Sequence, residues 1–273
     1  MVPLWAVALL VGTSLVAVLA MLAVRWYWAP KGYIRDPVPP AGVFGVLGVA
    51  FAVLLAFVLF LVFEGYVRAQ EGASREAVAV TQLLRLTELF PEPQHEELRG
   101  ELICYSRAVV SDEWPKMGAG GESPLVERWL VATESTINTT PVVSTRTEVA
   151  LESWLAEMSE RREARRARLA EASSVIPSPV WLMLVLGAAL TVLYIAVFAD
   201  RRERAWVQGA MSGAITALVV ASLLVIYFLD HPFTHDGAYI PPEEMNTTLR
   251  LFQQDIAGDP SVTFPCDEQG RPA

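Results

Sequence analysis

The hydrophobic run from Gly42 to Phe63 contains no charged residue and passes without a break into an amphipathic stretch. At about 1.5 Å per helical residue, this run is long enough to cross the ~30 Å hydrocarbon core of a bilayer. No proline interrupts the chain from there to Pro91. Beyond the apolar run, hydrophobic residues keep helical spacing at Val78, Leu83, Leu86 and Leu89. The pattern therefore predicts one helix, Gly42–Phe90, that begins in the membrane and continues as the first helix of an extramembrane domain.

Three further uncharged runs have spanning length: Leu4–Val24, Val180–Ala199 and Ala205–Leu229. The sequence thus predicts an all-α membrane protein with four transmembrane helices and a helical bundle inserted between spans two and three. Its predicted parts are a first membrane hairpin (1–63), an extramembrane helical domain (64–179), a second membrane hairpin (180–229) and an acidic, proline-rich tail (230–273).

The polar block between the second and third spans has its own helical periodicity. A helix over Glu96–Asp112 is predicted to bury Leu98, Leu102, Tyr105 and Val109. Ser123 followed by Pro124 is a helix-capping pair and predicts a helix to about Ile137. The prolines and polar residues between these segments favour short connections, so we expect an antiparallel bundle.

A long third helix is predicted from Ser144 to Val175. Its expected inward face is Val149, Leu151, Leu155, Met158 and Leu169. A basic strip is expected on another face, at Arg161, Arg162, Arg165, Arg166 and Arg168. Glu160, Glu163 and Glu171 alternate with these arginines, which favours a salt-bridged helix surface; binding of anionic lipid head groups is the alternative.

Small residues in two spans predict close helix packing in the membrane. They are Gly45 and Gly48 in the second span and Gly209 and Gly213 in the fourth. The lipid bilayer is therefore the first partner that the sequence predicts.

Charge and motif content exclude several classes of protein. The net charge of −9 argues against nucleic-acid binding. The chain has no nucleophile elbow, phosphate-binding loop, HExxH or paired CxxC motif, so we predict no enzyme, no cofactor and no metal site. The two cysteines, Cys104 and Cys266, are expected on the same side of the membrane, where they could either pair or stay free.

An ordered set of short motifs carries a family resemblance. The set comprises the run 51–57 (FAVLLAF), Arg75-Glu76-Ala77, Glu113-Trp114-Pro115, Pro177 followed by Trp181, and Asp230-x-Pro232-Phe233. Over roughly 41–242, the chain resembles the bacterial bestrophin-like integral membrane proteins of unknown function, which are distantly related to bestrophin anion channels.

The resemblance implies a homo-oligomer, a pentamer if it is bestrophin-like, that conducts inorganic ions. In bestrophins the second membrane helix lines a narrow neck with bulky apolar residues, whereas the corresponding line here is Phe44, Gly48, Ala52, Ala56 and Phe60. We therefore name Phe60 as a candidate constriction, with Glu64 and Arg68 at its mouth. Glu64 and Asp230 each end a span, where a carboxylate either belongs to a pathway or occupies an ordinary interface position. The alternative function is a non-conducting membrane scaffold or sensor whose helical domain binds a partner.

The sequence gives conflicting signals for orientation in the cell membrane. Both short loops are basic, with Arg25, Lys31, Arg35, Arg201, Arg202 and Arg204, which would place them in the cytoplasm and the domain outside. The arginines of 161–168 lie close to span three and balance this count. Bestrophin resemblance implies a cytosolic domain with both termini on the same side, and this is the expectation we take forward.

Overall fold

The computed structural model describes residues 2–27, 38–197, 204–256 and 264–273. Its helices are α1 (Leu4–Tyr27), α2 (Val38–Thr87), α3 (Gln94–Ala108), α4 (Trp114–Met117), α5 (Pro124–Thr139), α6 (Thr145–Ala170), α7 (Ser178–Val197), α8 (Ala205–Asp230) and α9 (Glu243–Ile256). Within the described ranges there is no strand, only an isolated bridge between Cys266 and Pro272. The predicted all-α fold is confirmed.

Helix α2 is continuous from Val38 to Thr87, which confirms that the predicted helix over Gly42–Phe90 is unbroken, although both of its ends lie a few residues earlier. Its passage from the membrane into an extramembrane domain remains a prediction. Four helices are long and apolar enough to cross a membrane: α1, α2 from Gly45 onward, α7 and α8. The chain divides into two compact units: Met1–Glu64 with Ser174–Asp230, and Gly65–Ser173 with His231–Ala273. We call them the membrane unit and the helical unit.

In the membrane unit, α1 packs against α8 through two glycines. A Cβ atom on Gly209 would lie 3.5 Å from Val18, and one on Gly213 would lie 3.3 Å from the same side chain. Both glycines therefore lie where α1 and α8 approach each other. Gly45 and Gly48 have no such neighbour within 4 Å among the described residues. Their packing against a neighbouring helix remains a prediction.

The membrane part of α2 buries one face only. Val58 and Val62 join Ile176, Leu184 and Ile226 in a small apolar core. At Gly187 of α7, an added Cβ would lie 2.4 Å from the Phe51 ring, so the absence of a side chain lets the aromatic ring fit. The run 51–57 thus helps to join α2 to α7.

The helical unit confirms two local predictions. Leu98, Leu102, Tyr105 and Val109 are all buried. Ser123 caps α5, since its hydroxyl accepts hydrogen bonds from the backbone N–H groups of Leu125 at 3.1 Å and Val126 at 3.2 Å.

The predicted inward face of α6 is partly wrong. Val149 and Leu155 are 55% and 58% exposed, whereas Met158 is buried as expected. The face that packs into the unit instead carries Trp154, Met158, Arg161 and Arg168. Arg168 can occupy a buried position because Glu76 on α2 and Glu113 beside α4 lie opposite it. The guanidinium of Arg161 lies over the Tyr105 ring and donates to its hydroxyl.

The helix predicted over Glu96–Asp112 changes geometry before its end. Helix α3 stops at Ala108 and is followed by a π-helical turn, Val109–Glu113, which leads directly into α4. A π-turn inserts one extra residue per turn and so changes the direction of the side chains that follow. Here it carries Glu113 into the interior of the unit.

Cys104 and Cys266 form a disulfide bond, which resolves the choice left open by the sequence. The bond ties residues near the C-terminus to α3. Within the segment that we predicted only as an acidic, proline-rich tail, helix α9 is formed over Glu243–Ile256.

The close approach of α2 and α6 yields a stability prediction for Gly72→Ala. The new Cβ would lie 2.9 Å from the backbone nitrogen of Arg168 and 3.0 Å from the carbonyl oxygen of Ala164. Backbone atoms cannot rotate away, so we expect a loss of about 1–3 kcal/mol, measured by thermal unfolding of the purified protein in detergent.

Gly12→Ala is the matched control, because Gly12 is also inside a helix and its Cβ position is open. It should be neutral or slightly stabilising. Equal melting temperatures for the two variants would show that the α2–α6 contact is looser than described.

Candidate functional site

The outward face of α2 carries the predicted pore candidates of the membrane unit. Ala52 and Ala56 are exposed, and Phe60, one turn further, is 56% exposed. Glu64 follows after another turn and is also exposed. The side chain of Phe44, predicted on the same line, lies outside the described residues. A face of small residues that ends in an aromatic ring and a carboxylate is thus left uncovered by the rest of the unit.

Arg68, the third pore candidate, bonds a carboxylate that the sequence did not indicate as its partner. Its Nε donates to Oε1 of Glu171 at 2.8 Å, within the helical unit. The side chain of Arg68 is half exposed, whereas Glu171 is mostly buried. Arg68 therefore contributes to α2–α6 contact, in addition to any effect on a nearby pathway.

The most concentrated chemistry of the helical unit is a set of buried charged and polar side chains that we call the ionic core: Glu76, Tyr105, Glu113, Arg161, Arg165 and Arg168. Arg168 lies at its centre and is fully buried. Its Nε and Nη2 donate to the two carboxylate oxygens of Glu76, at 2.6 and 3.1 Å. The same Nη2 donates to Glu113 at 2.7 Å, so one guanidinium joins α2 to the π-turn.

Two further arginines of α6 complete the ionic core. Arg165 donates through Nη2 to Glu113 at 2.6 Å. The hydroxyl of Tyr105 donates to Glu76, and Nη1 of Arg161 donates to the same hydroxyl at 3.3 Å. The core thus connects α2, α3, the π-turn and α6 through charge-assisted hydrogen bonds, which are stronger than neutral ones.

The surrounding charges fix the ionisation of this core. Burial would raise the pKa of Glu113, but the hydrogen bond from Arg165 and the charge of Arg168 outweigh it and hold that pKa below its ordinary value. Burial and the negative charge of Glu76 raise the pKa of Tyr105, which keeps the phenol neutral and able to donate. The carboxylate of Glu113 and the guanidinium groups of Arg165 and Arg168 therefore stay charged at neutral pH.

Several residues of the family motifs meet at this core. The guanidinium of Arg168 lies over the Trp114 ring, 4.7 Å from its centre, in a cation–π contact. Phe233 meets the same ring edge-on at 5.7 Å. The indole N–H of Trp114 donates to the carbonyl of Ile240 at 2.9 Å, and the carbonyl of Pro232 accepts from the N–H of Ile240 at 2.8 Å. Glu113, Trp114, Pro232 and Phe233 thus support one packed site, while Pro115 is exposed in α4.

The remaining motif residues shape the start of α7. Asp230 is buried and accepts hydrogen bonds from the backbone N–H groups of Val175 at 2.8 Å and Ile176 at 3.2 Å. The carbonyl of Pro177 accepts from the N–H of Trp181, whose ring packs against Tyr227. Asp230 therefore holds the segment that leads into α7, so its buried carboxylate has a structural explanation in the membrane unit.

The predicted basic strip is divided between the interior and the surface. Arg162 and Arg166 are exposed, whereas Arg161 and Arg168 are buried and Arg165 is nearly so. Of the two interpretations, salt bridging is supported: Glu160 pairs with Arg75 at 2.7 Å and Glu171 with Arg68. The buried arginines are not available to lipid head groups. The sequence signal for them was their spacing, since Arg161 and Arg168 lie seven apart on the same face as Trp154.

Glu101 on α3 is a second unusual acid, outside the ionic core. It accepts a hydrogen bond from the hydroxyl of Thr136 at 2.8 Å, while its Oε2 is buried without a hydrogen-bond partner among the described residues. Burial, assisted by the charge of Glu97 and opposed by the bond from Thr136, raises its pKa to about 7.

Replacing Arg168 tests how far the helical unit depends on the ionic core. Arg168→Gln leaves two carboxylates buried with too little positive charge, so we expect a loss of about 3–5 kcal/mol. Thermal unfolding in detergent measures it. Arg166→Gln, an exposed neighbour on the same helix, should change stability by no more than about 0.5 kcal/mol.

Lowering the pH should partly restore Arg168→Gln, because protonation removes the uncompensated carboxylate charge. Equal stability of the two arginine variants at neutral pH would contradict a stabilising role for these ion pairs.

Glu101→Gln should change the pH dependence of stability. Because the pKa of Glu101 is raised to about 7 on folding, the folded state holds the proton more tightly. The contribution of protonated Glu101 to the free energy of unfolding is complete below the ordinary glutamate pKa and is lost as pH rises through about 7. The variant should therefore melt higher than wild type at pH 8 and equally at pH 4.5, whereas Glu134→Gln on exposed α5 surface should follow wild type at both. A wild-type advantage at pH 8 would refute the raised pKa.

Comparison with known proteins agrees with this architecture. The Bestrophin-like domain family matches residues 11–239. A crystal structure of a mutant bacterial Bestrophin homolog from Klebsiella pneumoniae is similar with a TM-score of 0.73 and 18% identity, over 92% of this chain and 99% of that one. Another structure of the Klebsiella homolog gives a TM-score of 0.70 and 17% identity, over 91% and 98%. No protein of the curated set matches the chain.

At these identities the structural likeness concerns the fold. The family match is independent of it and spans most of the chain, including the residues that meet at the ionic core from Glu76 to Phe233. Taken with the all-helical fold and the four candidate membrane spans, it shows that the chain belongs to the Bestrophin-like family.

Proposed function

We propose that the protein is an oligomeric ion channel in which α2 helices from several copies surround the conduction path. Five copies are the stoichiometry that bestrophin resemblance implies. The path would run along the line formed by Gly48, Ala52, Ala56 and Phe60, with Glu64 at its end.

The observation that carries this proposal is the asymmetry of α2 within the membrane unit. Val58 and Val62 are buried against α7 and α8, while Ala52 and Ala56 are exposed on another face. Lipid-facing helices usually present large apolar side chains, and small residues let neighbouring helices or a lumen approach the backbone. The small-residue face is therefore better suited to the centre of an oligomer than to lipid.

Phe60 and Glu64 give this face its chemistry. Phe60 is the first bulky exposed side chain after Ala52 and Ala56 on the line, so in a ring of copies it would form the narrowest apolar point. Hydrophobic constrictions gate conduction by excluding water, and rings of carboxylates favour cations over anions. The anion selectivity implied by the resemblance is thus opposed by the charge of Glu64, and a reversal potential decides between them.

Glu64→Gln should change selectivity. It removes one negative charge from each copy at a narrow mouth, where low-dielectric walls strengthen the field on passing ions. We expect the reversal potential under a salt gradient to shift towards the equilibrium potential of the anion. Planar-bilayer recordings of purified protein measure it.

Glu71→Gln is the matched control, since Glu71 is an exposed carboxylate two turns further along α2. It lies about 10 Å away along the helix axis, roughly one Debye length at 0.1 M salt. Its reversal potential should stay close to wild type. Absence of current in several lipid mixtures, or equal shifts in both variants, would instead support the non-conducting scaffold.

A further inference from the structure

The disulfide is part of a larger docked segment at the C-terminus. We call residues 264–273 the C-terminal strap. Its backbone carbonyls accept four hydrogen bonds from side chains of the helical unit: Cys266 and Asp267 from Arg107 at 3.4 and 3.1 Å, Gln269 from Ser111 at 2.6 Å and Gly270 from Trp129 at 2.7 Å.

The close fit of the C-terminal strap against α3 adds to these hydrogen bonds. Gly270 has a φ of +75°, and a Cβ there would lie 2.5 Å from the backbone nitrogen of Ala108, so the strap fits closely against α3 only with glycine at this position. Cys104 and Cys266 are both buried. Contacts of the residues that follow Cys266 therefore hold the strap against α3 in addition to the covalent bond.

Oxidation of this cysteine pair bears on membrane orientation. Stable disulfides form in oxidising compartments and are rare where glutathione and thioredoxin keep thiols reduced. These are the only two cysteines of the chain, and both belong to the helical unit. An oxidised pair therefore indicates that this unit lies outside the cytoplasm.

The charges of the short loops agree with this orientation. The end of α1 and the connections that follow α1 and α7 carry Arg25, Lys31, Arg35, Arg201, Arg202 and Arg204, and an excess of basic residues marks the cytoplasmic side. The arginines of 161–168 lie within about 20 residues of α7 and count in the opposite direction. The disulfide therefore decides between the two orientations.

We propose that the helical unit and the C-terminal strap face the oxidising side of the membrane, where a thiol-oxidising disulfide protein joins Cys104 to Cys266. In this exchange a cysteine thiolate attacks the partner's disulfide, and the second cysteine resolves the mixed disulfide. Two thiols lose two protons and two electrons, and the partner's disulfide is reduced to a dithiol. The orientation is the reverse of the one implied by bestrophin resemblance, and it does not depend on whether the protein conducts ions.

Labelling of added cysteines in intact cells tests the orientation. Glu122→Cys places a thiol on an exposed position of the helical unit, and Arg202→Cys places one in the connection between α7 and α8. A membrane-impermeant maleimide should label the first variant in intact cells and the second only after the membrane is opened. Any other pattern, including labelling of both in intact cells, overturns the proposal.

The labelling test needs a protein that has no reactive native thiol and still folds. Cys104→Ser with Cys266→Ser removes the native thiols, and accumulation of that double variant at wild-type level permits its use. Where it does not accumulate, the added cysteines are placed in the wild-type chain, whose native pair is unreactive while oxidised.

The state of the native pair is measured separately. Wild-type protein is trapped with acid in cells, denatured and treated with a maleimide of high mass. We expect no shift without reductant and a double shift after dithiothreitol. Cells that lack thiol-oxidising activity in that compartment should yield a double shift without reductant. Free native thiols in normal cells would overturn the proposed oxidation, whatever the added cysteines show.

Discussion

The contact of Arg168 with Glu76 and Glu113 is the constraint on which the helical unit depends. A guanidinium removed from water is costly unless carboxylates surround it. In turn, Glu76 depends on Arg168, and Glu113 depends on both Arg168 and Arg165. Three structural features make the contact possible. Gly72 lets α6 approach α2, the π-turn directs Glu113 inward, and Trp114 covers the guanidinium. The family motifs around Glu76, Glu113 and Phe233 are distant in sequence and adjacent here because they build this one contact.

The hydrophobic pattern was sufficient for the architecture and insufficient for the ionic core. Uncharged runs predicted the four spans, and the spacing of Leu98, Leu102 and Tyr105 predicted the buried face of α3. In α6 the same logic selected Val149 and Leu155, because an arginine counts as polar in any periodicity argument. The spacing of Arg161 and Arg168 places them on the same face as Trp154. The acids that compensate Arg168 come from elements distant in sequence, and no local pattern identifies them. Likewise, the cysteine count allowed one bridge, and only the position of the C-terminal strap selected it.

The membrane unit combines a bestrophin fold with a different surface on α2. Small residues occupy the line on which bestrophins place a bulky neck, and Phe60 and then Glu64 follow them on that line. A pore with a wider apolar segment and a carboxylate at its end would select ions differently from a bestrophin pore. Glu64 lies at the end of the membrane part of α2. If the helical unit faces the oxidising side, this carboxylate is also external, and ions would meet it before they enter the membrane.

In the proposed oligomer, the uncovered faces of α2 from several copies surround one conduction path. An electron cryo-microscopy structure of the full chain in lipid nanodiscs measures this directly. The account predicts a closed ring of copies in which α2 lies nearest the axis, with Ala52, Ala56 and Phe60 facing it. A single copy in the disc, or a ring in which these residues face lipid, would contradict it.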